Sequence, residues 1–173
     1  VSLGREALVV VQHGLAVNHA GHGEAGVGAA DVADRQAVEG LVDAAVERFG
    51  RLDVMVNNAG RSSPLKKGLF DEDFAEFDSV MRVNLLGVMA GTRDAGRYMA
   101  DHGGGSIINV ASINGVSPGE FQGIYSVTKA AVISMTKVFA KECAQFGIRC
   151  NALLPGLTDT KFASALTKND AIL

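Results

Sequence analysis

The strongest constraint on the fold is a rhythm. Short apolar runs, closed by asparagine, glycine or proline, alternate with stretches whose apolar residues recur at helical spacing. Leu52-Asp53-Val54-Met55-Val56 is one such run, stopped by Asn57-Asn58-Ala59-Gly60. Ser106-Ile107-Ile108-Asn109-Val110-Ala111 is another, and residues 148–154 form a third that Pro155-Gly156 ends. A helix is predicted after Asp31-Val32-Ala33-Asp34, where Val38, Leu41, Val42, Ala45, Val46 and Phe49 share a face. Asp34 can cap its start and Gly50 can end it. Further helices are predicted over about residues 73–101, before Gly103-Gly104-Gly105, and over about residues 123–146. The strand runs are apolar throughout, which predicts a parallel sheet covered by helices on both faces, an α/β fold. Ligands of such sheets bind beyond the carboxyl ends of the strands. Those ends carry Asp31, Asn57 to Gly60, Ala111-Ser112 and Pro155-Gly156. The 173 residues are expected to form a single domain over 1–173.

Composition removes several function classes. The net charge is −3, the basic residues are scattered and Lys66-Lys67 is only a pair, which argues against a nucleic-acid partner. No apolar run approaches the roughly 20 residues of a membrane span. The first residues lack the basic flank, apolar stretch and cleavage site of a signal peptide. Cys143 and Cys150 have neither metal-ligand spacing nor a disulfide framework, so both read as small buried hydrophobes in a reduced, cytoplasmic setting. His13, His19, His22 and His102 do not cluster and read as surface residues, so no metal is expected.

The candidate chemistry lies at the start of the last predicted helix. Tyr125 and Lys129 stand four apart and so share a helix face. An ammonium beside a phenol favours the phenolate, which would bring the tyrosine down from its reference pKa of about 10 and make it a usable acid or base. Ser112, at the end of the preceding strand, could hold a carbonyl oxygen beside Tyr125. A Tyr-x-x-x-Lys match by itself also fits a half-buried tyrosine with a solvated lysine.

Five features in order give the chain a resemblance. They are Asp31-Val32 after a strand, Asn57-Asn58-Ala59-Gly60 ending the next, and Asn84 within Val83-Asn84-Leu85-Leu86-Gly87 on a helix. Ser112, thirteen residues before Tyr125, and Pro155-Gly156-Leu157-Thr158-Asp159-Thr160 complete the set. From about residue 31 to 160 the chain resembles classical short-chain dehydrogenases/reductases. The resemblance implies a Rossmann-like doubly wound parallel sheet, and an oxidoreductase moving a hydride between NAD or NADP and a secondary alcohol or ketone. It implies that Tyr125 exchanges a proton with the substrate oxygen and that Ser112 orients that oxygen. Lys129 would hold the nicotinamide ribose, and Asn84 would help hold a water that links Lys129 to solvent. A mid-helix Asn84 also fits a polar residue binding backbone at a helix kink. Asp31 and Val32 would meet the adenine, Asn57, Asn58, Ala59 and Gly60 the adenosine ribose, and Pro155, Gly156, Thr158 and Thr160 the nicotinamide and phosphates. Pro155-Gly156 also fits an ordinary turn. The family resemblance implies pairing of the second and third helices between subunits, hence a homo-oligomer.

The termini depart from that family. Ser2-Leu3-Gly4-Arg5-Glu6-Ala7-Leu8 reads as the tail of a glycine-rich turn running into a helix, with Gly4 as its last glycine. The family's first strand and its carboxyl-terminal elements are expected to be missing, so the Rossmann-like sheet is expected to be incomplete. Gly21-His22-Gly23-Glu24-Ala25-Gly26 matches G-x-G-x-x-G literally, but the four residues before Asp31 leave no room for the helix that the motif needs. Asn18-His19 stands where an acidic residue would select NAD and a basic one NADP; with no arginine nearby, the reading leans to NAD. The loop over residues 113–122 is expected to form one pocket wall, with Val116, Phe121 and Ile124 apolar. A rival reading is a catalytically silent or partial chain that acts only as an oligomerising subunit. A methyltransferase-like α/β enzyme is a third, but it would not require Ser112, Tyr125 and Lys129 together.

Overall fold

Local chemistry explains the elements. The computed structural model describes residues 7–12, 15–20, 24–62, 70 and 73–156. Helix α1 (Arg35–Phe49) starts where the Asp34 carboxylate accepts from the Gln36 N–H and stops at Gly50, whose φ of 73° suits a residue without a Cβ. Helix α2 (Phe74–Met81) is capped in the same way by Asp73. It runs through a π-helical segment (Arg82–Gly87) into α3 (Val88–Asp101), so the predicted second helix is one rod with a π-helical segment at Asn84. Helix α4 (Gly123–Cys143) follows the site loop.

Six strands form one sheet: β1 (Ala7–Gln12), β2 (Leu15–Ala20), β3 (Glu24–Ala29), β4 (Val54–Asn57), β5 (Gly105–Val110) and β6 (Ile148–Leu153). Their order is β3-β2-β1-β4-β5-β6. Strands β1, β4, β5 and β6 are mutually parallel, whereas β2 runs antiparallel to both β1 and β3. The expected all-parallel order is thereby corrected at β2. A parallel crossover needs about a dozen residues, and only residues 13–14 and 21–23 link these strands, so the chain must reverse. Two reversals restore the direction, so β3 delivers Asp31 to the same edge as the parallel strands.

Of three further readings of the amino-terminal segment, two change and one, the absence of a helix at the literal G-x-G-x-x-G, holds. Residues 7–8 belong to β1, not to a turn entering a helix, because Val9-Val10-Val11 is a β-branched run that favours a strand. That strand fills the position beside β4. Glu24, Ala25 and Gly26 of the literal G-x-G-x-x-G lie in β3, so no helix opens there. Asn18 and His19 sit inside β2, with His19 opposite Leu8 near the start of β1. They therefore lie towards the amino edge of the sheet, away from the edge where a cofactor-selecting residue would act.

The core lies on one face of the sheet. Val38, Leu41, Val42 and Ala45 of α1 and Ala95 and Met99 of α3 bury against Met55, Ile107, Ile148 and Cys150, with Phe139 and Ala140 of α4 packed at its margin. On the other face Val54, Val56, Ile108 and Val110 are only half-buried. The described helices do not cover both faces, and links of two and three residues around β2 are too short to hold one. Cys150 is buried and burial pushes its thiol up to about 11, while Cys143 is half-buried.

Candidate active site

Strand β5 and helix α4 bring the chemistry together. Ser112 lies two residues beyond Val110, the end of β5, and the β5–β6 pairing continues past it through Ala111 N–H to Leu153 O (2.8 Å) and Ile113 N–H to Pro155 O (3.0 Å). Tyr125 sits in the first turn of α4 and is 8% exposed, and Lys129, one turn on, is 3% exposed. The Ser112 hydroxyl hydrogen-bonds the Tyr125 phenol. Lys129 Nζ donates to the Val110 carbonyl at 2.7 Å and lies 5.6 Å from the centre of the Tyr125 ring. The lysine is therefore not the solvated one of the bland alternative.

The electrostatics differ from the expectation drawn from spacing. Burial pushes the Tyr125 phenol up, and the Ser112 hydrogen bond pulls only partly against it. Burial also lowers Lys129 to about 8. Lys129 directs its proton at Val110 O and stands beside the ring, so desolvation outweighs its attraction for a phenolate.

Asn84, fully buried on the π-helical segment, holds backbone. Its Oδ1 accepts from the Arg61 N–H (2.8 Å), and its Nδ2 donates to Arg61 O (2.9 Å) and Thr128 Oγ1 (3.1 Å). Both amide hydrogens are thus committed within the chain, one to backbone and one to a hydroxyl of α4. Thr128 in turn donates to Tyr125 O at 2.7 Å, tying Asn84 to the tyrosine's helix. π-helical turns of this kind recur at functional sites. Gly60 lies between the two: a Cβ there would stand 3.5 Å from both Asn84 Oδ1 and Lys129 Nζ.

The remaining candidates occupy the same edge with different surroundings. Asp31 is exposed and accepts from its neighbour Ala33 N–H at 2.9 Å, while Val32 is buried against Gly87, where a Cβ would stand 2.8 Å from Val32 O. Asn57 turns its side chain inward, donating to Asn109 Oδ1 (2.9 Å) and Thr92 Oγ1 (3.2 Å), so only its backbone faces the edge. Asn58 is half-buried, and Ala59 is buried. Pro155 is half-buried, and among the described residues nothing stands within 4 Å of a Cβ placed on Gly156. Thr158 and Thr160 lie outside the described residues, as does Gly4. In the pocket wall, Val116 and Phe121 are exposed, but Ile124 is buried, so Ile113 takes its place as the third exposed apolar residue.

Sequence reasoning missed four groups. Arg61 is locked by Asn84 through its backbone and by Glu76 (2.6 Å) and Ser79 (2.5 Å) through its guanidinium. Asn109 centres a buried network that also bonds Thr92 (3.0 Å) and Thr136 (3.0 Å). Asn114 and Gln122 pair across the site loop at 2.6 Å. Thr128 alone carried a signal, one helical turn from Tyr125 and beside Lys129; the others join residues distant in sequence. Among the described residues no helix is long and apolar enough to cross a membrane.

Comparison with known proteins bears on the family and the fold. A family model described as short chain dehydrogenase matches residues 9–171. The 3beta-hydroxysteroid dehydrogenase 2 of Eggerthella lenta is 46% identical over 132 residues, 75% of this chain and 50% of that protein. The 3-oxoacyl-[acyl-carrier-protein] reductase FabG of Thermotoga maritima is 40% identical over 137 residues, 79% of this chain and 54% of its own. A gluconate 5-dehydrogenase from Burkholderia cenocepacia, solved with NADP and tartrate, superposes with a TM-score of 0.77 at 33% identity, covering 82% of this chain and 55% of that one. ElxO with NADP bound gives 0.75 at 34% identity, covering 81% and 57%. Both solved structures hold NADP, so the lean to NAD finds no support. The chain spans about half the length of these relatives. It belongs to the short-chain dehydrogenase family.

Proposed function

We propose that this chain provides the acid–base site of an NAD(P)-dependent oxidoreductase acting on a secondary alcohol or ketone by a Ser-Tyr-Lys-Asn mechanism. The observation that supports it is the meeting of Ser112, Tyr125 and Lys129 at one sheet edge, all buried, with Asn84 bracing the helix that carries Tyr125 and Lys129. The donor set suits a dinucleotide. Gly60 leaves its backbone free of a side chain beside Lys129, and the Lys129 ammonium can bond ribose hydroxyls. Asp31, Val32 and residues 57–60 would hold the adenosine end; Pro155, Gly156, Thr158 and Thr160 would border the nicotinamide. When bound, the nicotinamide supplies or accepts the hydride.

The chain's own residues handle the oxygen. In reduction Ser112 and Tyr125 hydrogen-bond the carbonyl oxygen, and Tyr125 gives its phenolic proton to that oxygen. The upward push on its pKa keeps the phenol protonated near neutrality, the state a donor needs. Lys129, held near 8, restores a proton to the tyrosine side of the site more readily than an ordinary lysine would. Oxidation reverses these transfers. The exposed Ile113, Val116 and Phe121 favour a substrate with apolar surface around its ketone.

The test is direct titration of the purified chain with NADPH and NADH, followed by cofactor fluorescence, and turnover of ketones by the parent and by Tyr125→Phe. Binding and turnover, with turnover lost in the variant, support the reading; full activity in Tyr125→Phe overturns the mechanism. One observation favours the second reading, a silent oligomerising subunit: Leu86, Met89, Val127 and Val138 are exposed on the long helices. An assembled chain that binds neither cofactor at millimolar concentration would establish that reading instead.

A further inference from the structure

Ser112 and Tyr125 are joined by a loop of twelve residues, and the chain's covalent geometry does not set their separation. Beside the Lys129–Val110 bond that ties α4 to β5, three contacts in and next to the loop set it. The Asn114 N–H donates to Ser112 Oγ at 3.2 Å, which occupies a lone pair and leaves the serine hydrogen for the phenol. Asn114 Nδ2 donates to Gln122 Oε1 at 2.6 Å, across eight residues. Gln122 precedes α4, and its carbonyl accepts from the Ser126 N–H at 2.8 Å within the first turn, the turn that carries Tyr125.

The backbone between them is bent to suit this bond. The Gln122 N–H returns to Gly119 O at 3.2 Å, closing a four-residue turn. Its third residue is Phe121, with φ of 59°, the one non-glycine residue at positive φ among those described. That place in a type II turn ordinarily takes glycine or asparagine, and a bulky side chain there is strained. The amide pair packs over Gly119, where a Cβ would meet Gln122 Nε2 at 3.5 Å and Asn114 Oδ1 at 3.7 Å.

We propose that Asn114 and Gln122 are a positioning pair: their amide–amide bond locks the loop and so holds the Ser112 hydroxyl against the Tyr125 phenol. This rests on reading Ser112 and Tyr125 as the proton-transfer pair. A merely structural role would change stability alone, whereas a positioning role makes the state of Tyr125 depend on the pair.

The chain has two tyrosines and no tryptophan, so on a Tyr98→Phe background the phenolate absorbance at roughly 295 nm reports Tyr125 alone. Loss of the Ser112 bond in Ser112→Ala moves the ionisation midpoint up. Gln122→Leu should move it up equally, and the two changes together should move it no further, since both remove one contact. Asn114→Leu breaks the same bond from the other side and serves where Gln122→Leu fails to fold by circular dichroism. In turnover, either variant should lower kcat about tenfold to a hundredfold while leaving cofactor affinity unchanged. A midpoint that stays in place, shifts that add to that of Ser112→Ala, or an undiminished kcat overturns the proposal. The titration needs no cofactor, so a parent chain without turnover would defeat the functional reading while the absorbance still decides this one.

Discussion

Lys129 Nζ donates to the carbonyl of Val110, the last residue of β5, at 2.7 Å. The bond ties α4 to the end of the strand that presents Ser112, and it places a buried amine against the Tyr125 ring. That arrangement disfavours charge on Lys129, and the stability of the chain should register it.

Lys129→Met should therefore stabilise the chain near neutral pH. The folded pKa of about 8 is below the reference of 10.5, so the unfolded chain binds more protons between those values. Stability of the parent then rises with pH through that window, and below about 8 the full penalty for burying the ammonium is present. The variant should gain on the order of 2 kcal/mol at pH 7, the lost Val110 bond offsetting part of the shift, and the gain should vanish by about pH 10.5. Urea unfolding at the two pH values measures it; an equal difference at both would contradict the burial account.

Asn84→Ala removes three hydrogen bonds at once and leaves the Arg61 backbone without its side-chain partner. A destabilisation of about 3 kcal/mol is expected, since each lost bond is worth roughly 1 kcal/mol and orphaned groups cost more. Denaturant midpoints check this. If cofactor binding to the folded variant also weakens, the clamp on residue 61 shapes the neighbouring Gly60 edge.

Two glycines on exterior and interior helices should respond oppositely to alanine. A Cβ on Gly91 would overlap Asn57 Oδ1 and stand 2.9 Å from Met55 Cε, so Gly91→Ala must displace the inward-turned asparagine. A loss of about 2 kcal/mol or more follows. Gly40, in α1, has nothing within 4 Å of its Cβ position, so Gly40→Ala should gain roughly 0.5–1 kcal/mol through helix propensity. Thermal or urea unfolding of the pair decides both.

Ser112→Ala should lower turnover by about a hundredfold or more and leave NADPH affinity near its parent value, because the hydroxyl meets the substrate oxygen and the phenol. Steady-state kinetics with a fluorescence titration separates the two. Unchanged kcat would remove Ser112 from the chemistry.

Much of this was legible along the chain. The α1 caps, Asp34 and Gly50, follow from side-chain and backbone chemistry within a few residues, and both stand where the sequence places them. The strands around residues 54–57, 105–110 and 148–153 follow from apolar runs and their breakers. The order of Asp31, Asn57 to Gly60, Ser112, Tyr125 and Pro155 along one edge follows from strand direction alone. The amino-terminal strands were less legible, because whether an apolar segment pairs or coils depends on the partner it meets.

What the sequence by itself determined is the helices and strands from α1 onward and the chemical groups delivered to one edge, because periodicity, capping and turn residues act over a few positions. Tertiary structure alone decided which way the side chains face and what surrounds them. It turned Asn57 inward onto Asn109, closed Asn84 on Arg61, reversed β2 and so moved His19 off the cofactor edge, and made burial rather than Lys129 govern Tyr125. These depend on packing between residues tens of positions apart, where desolvation and non-local hydrogen bonds outweigh any preference written locally.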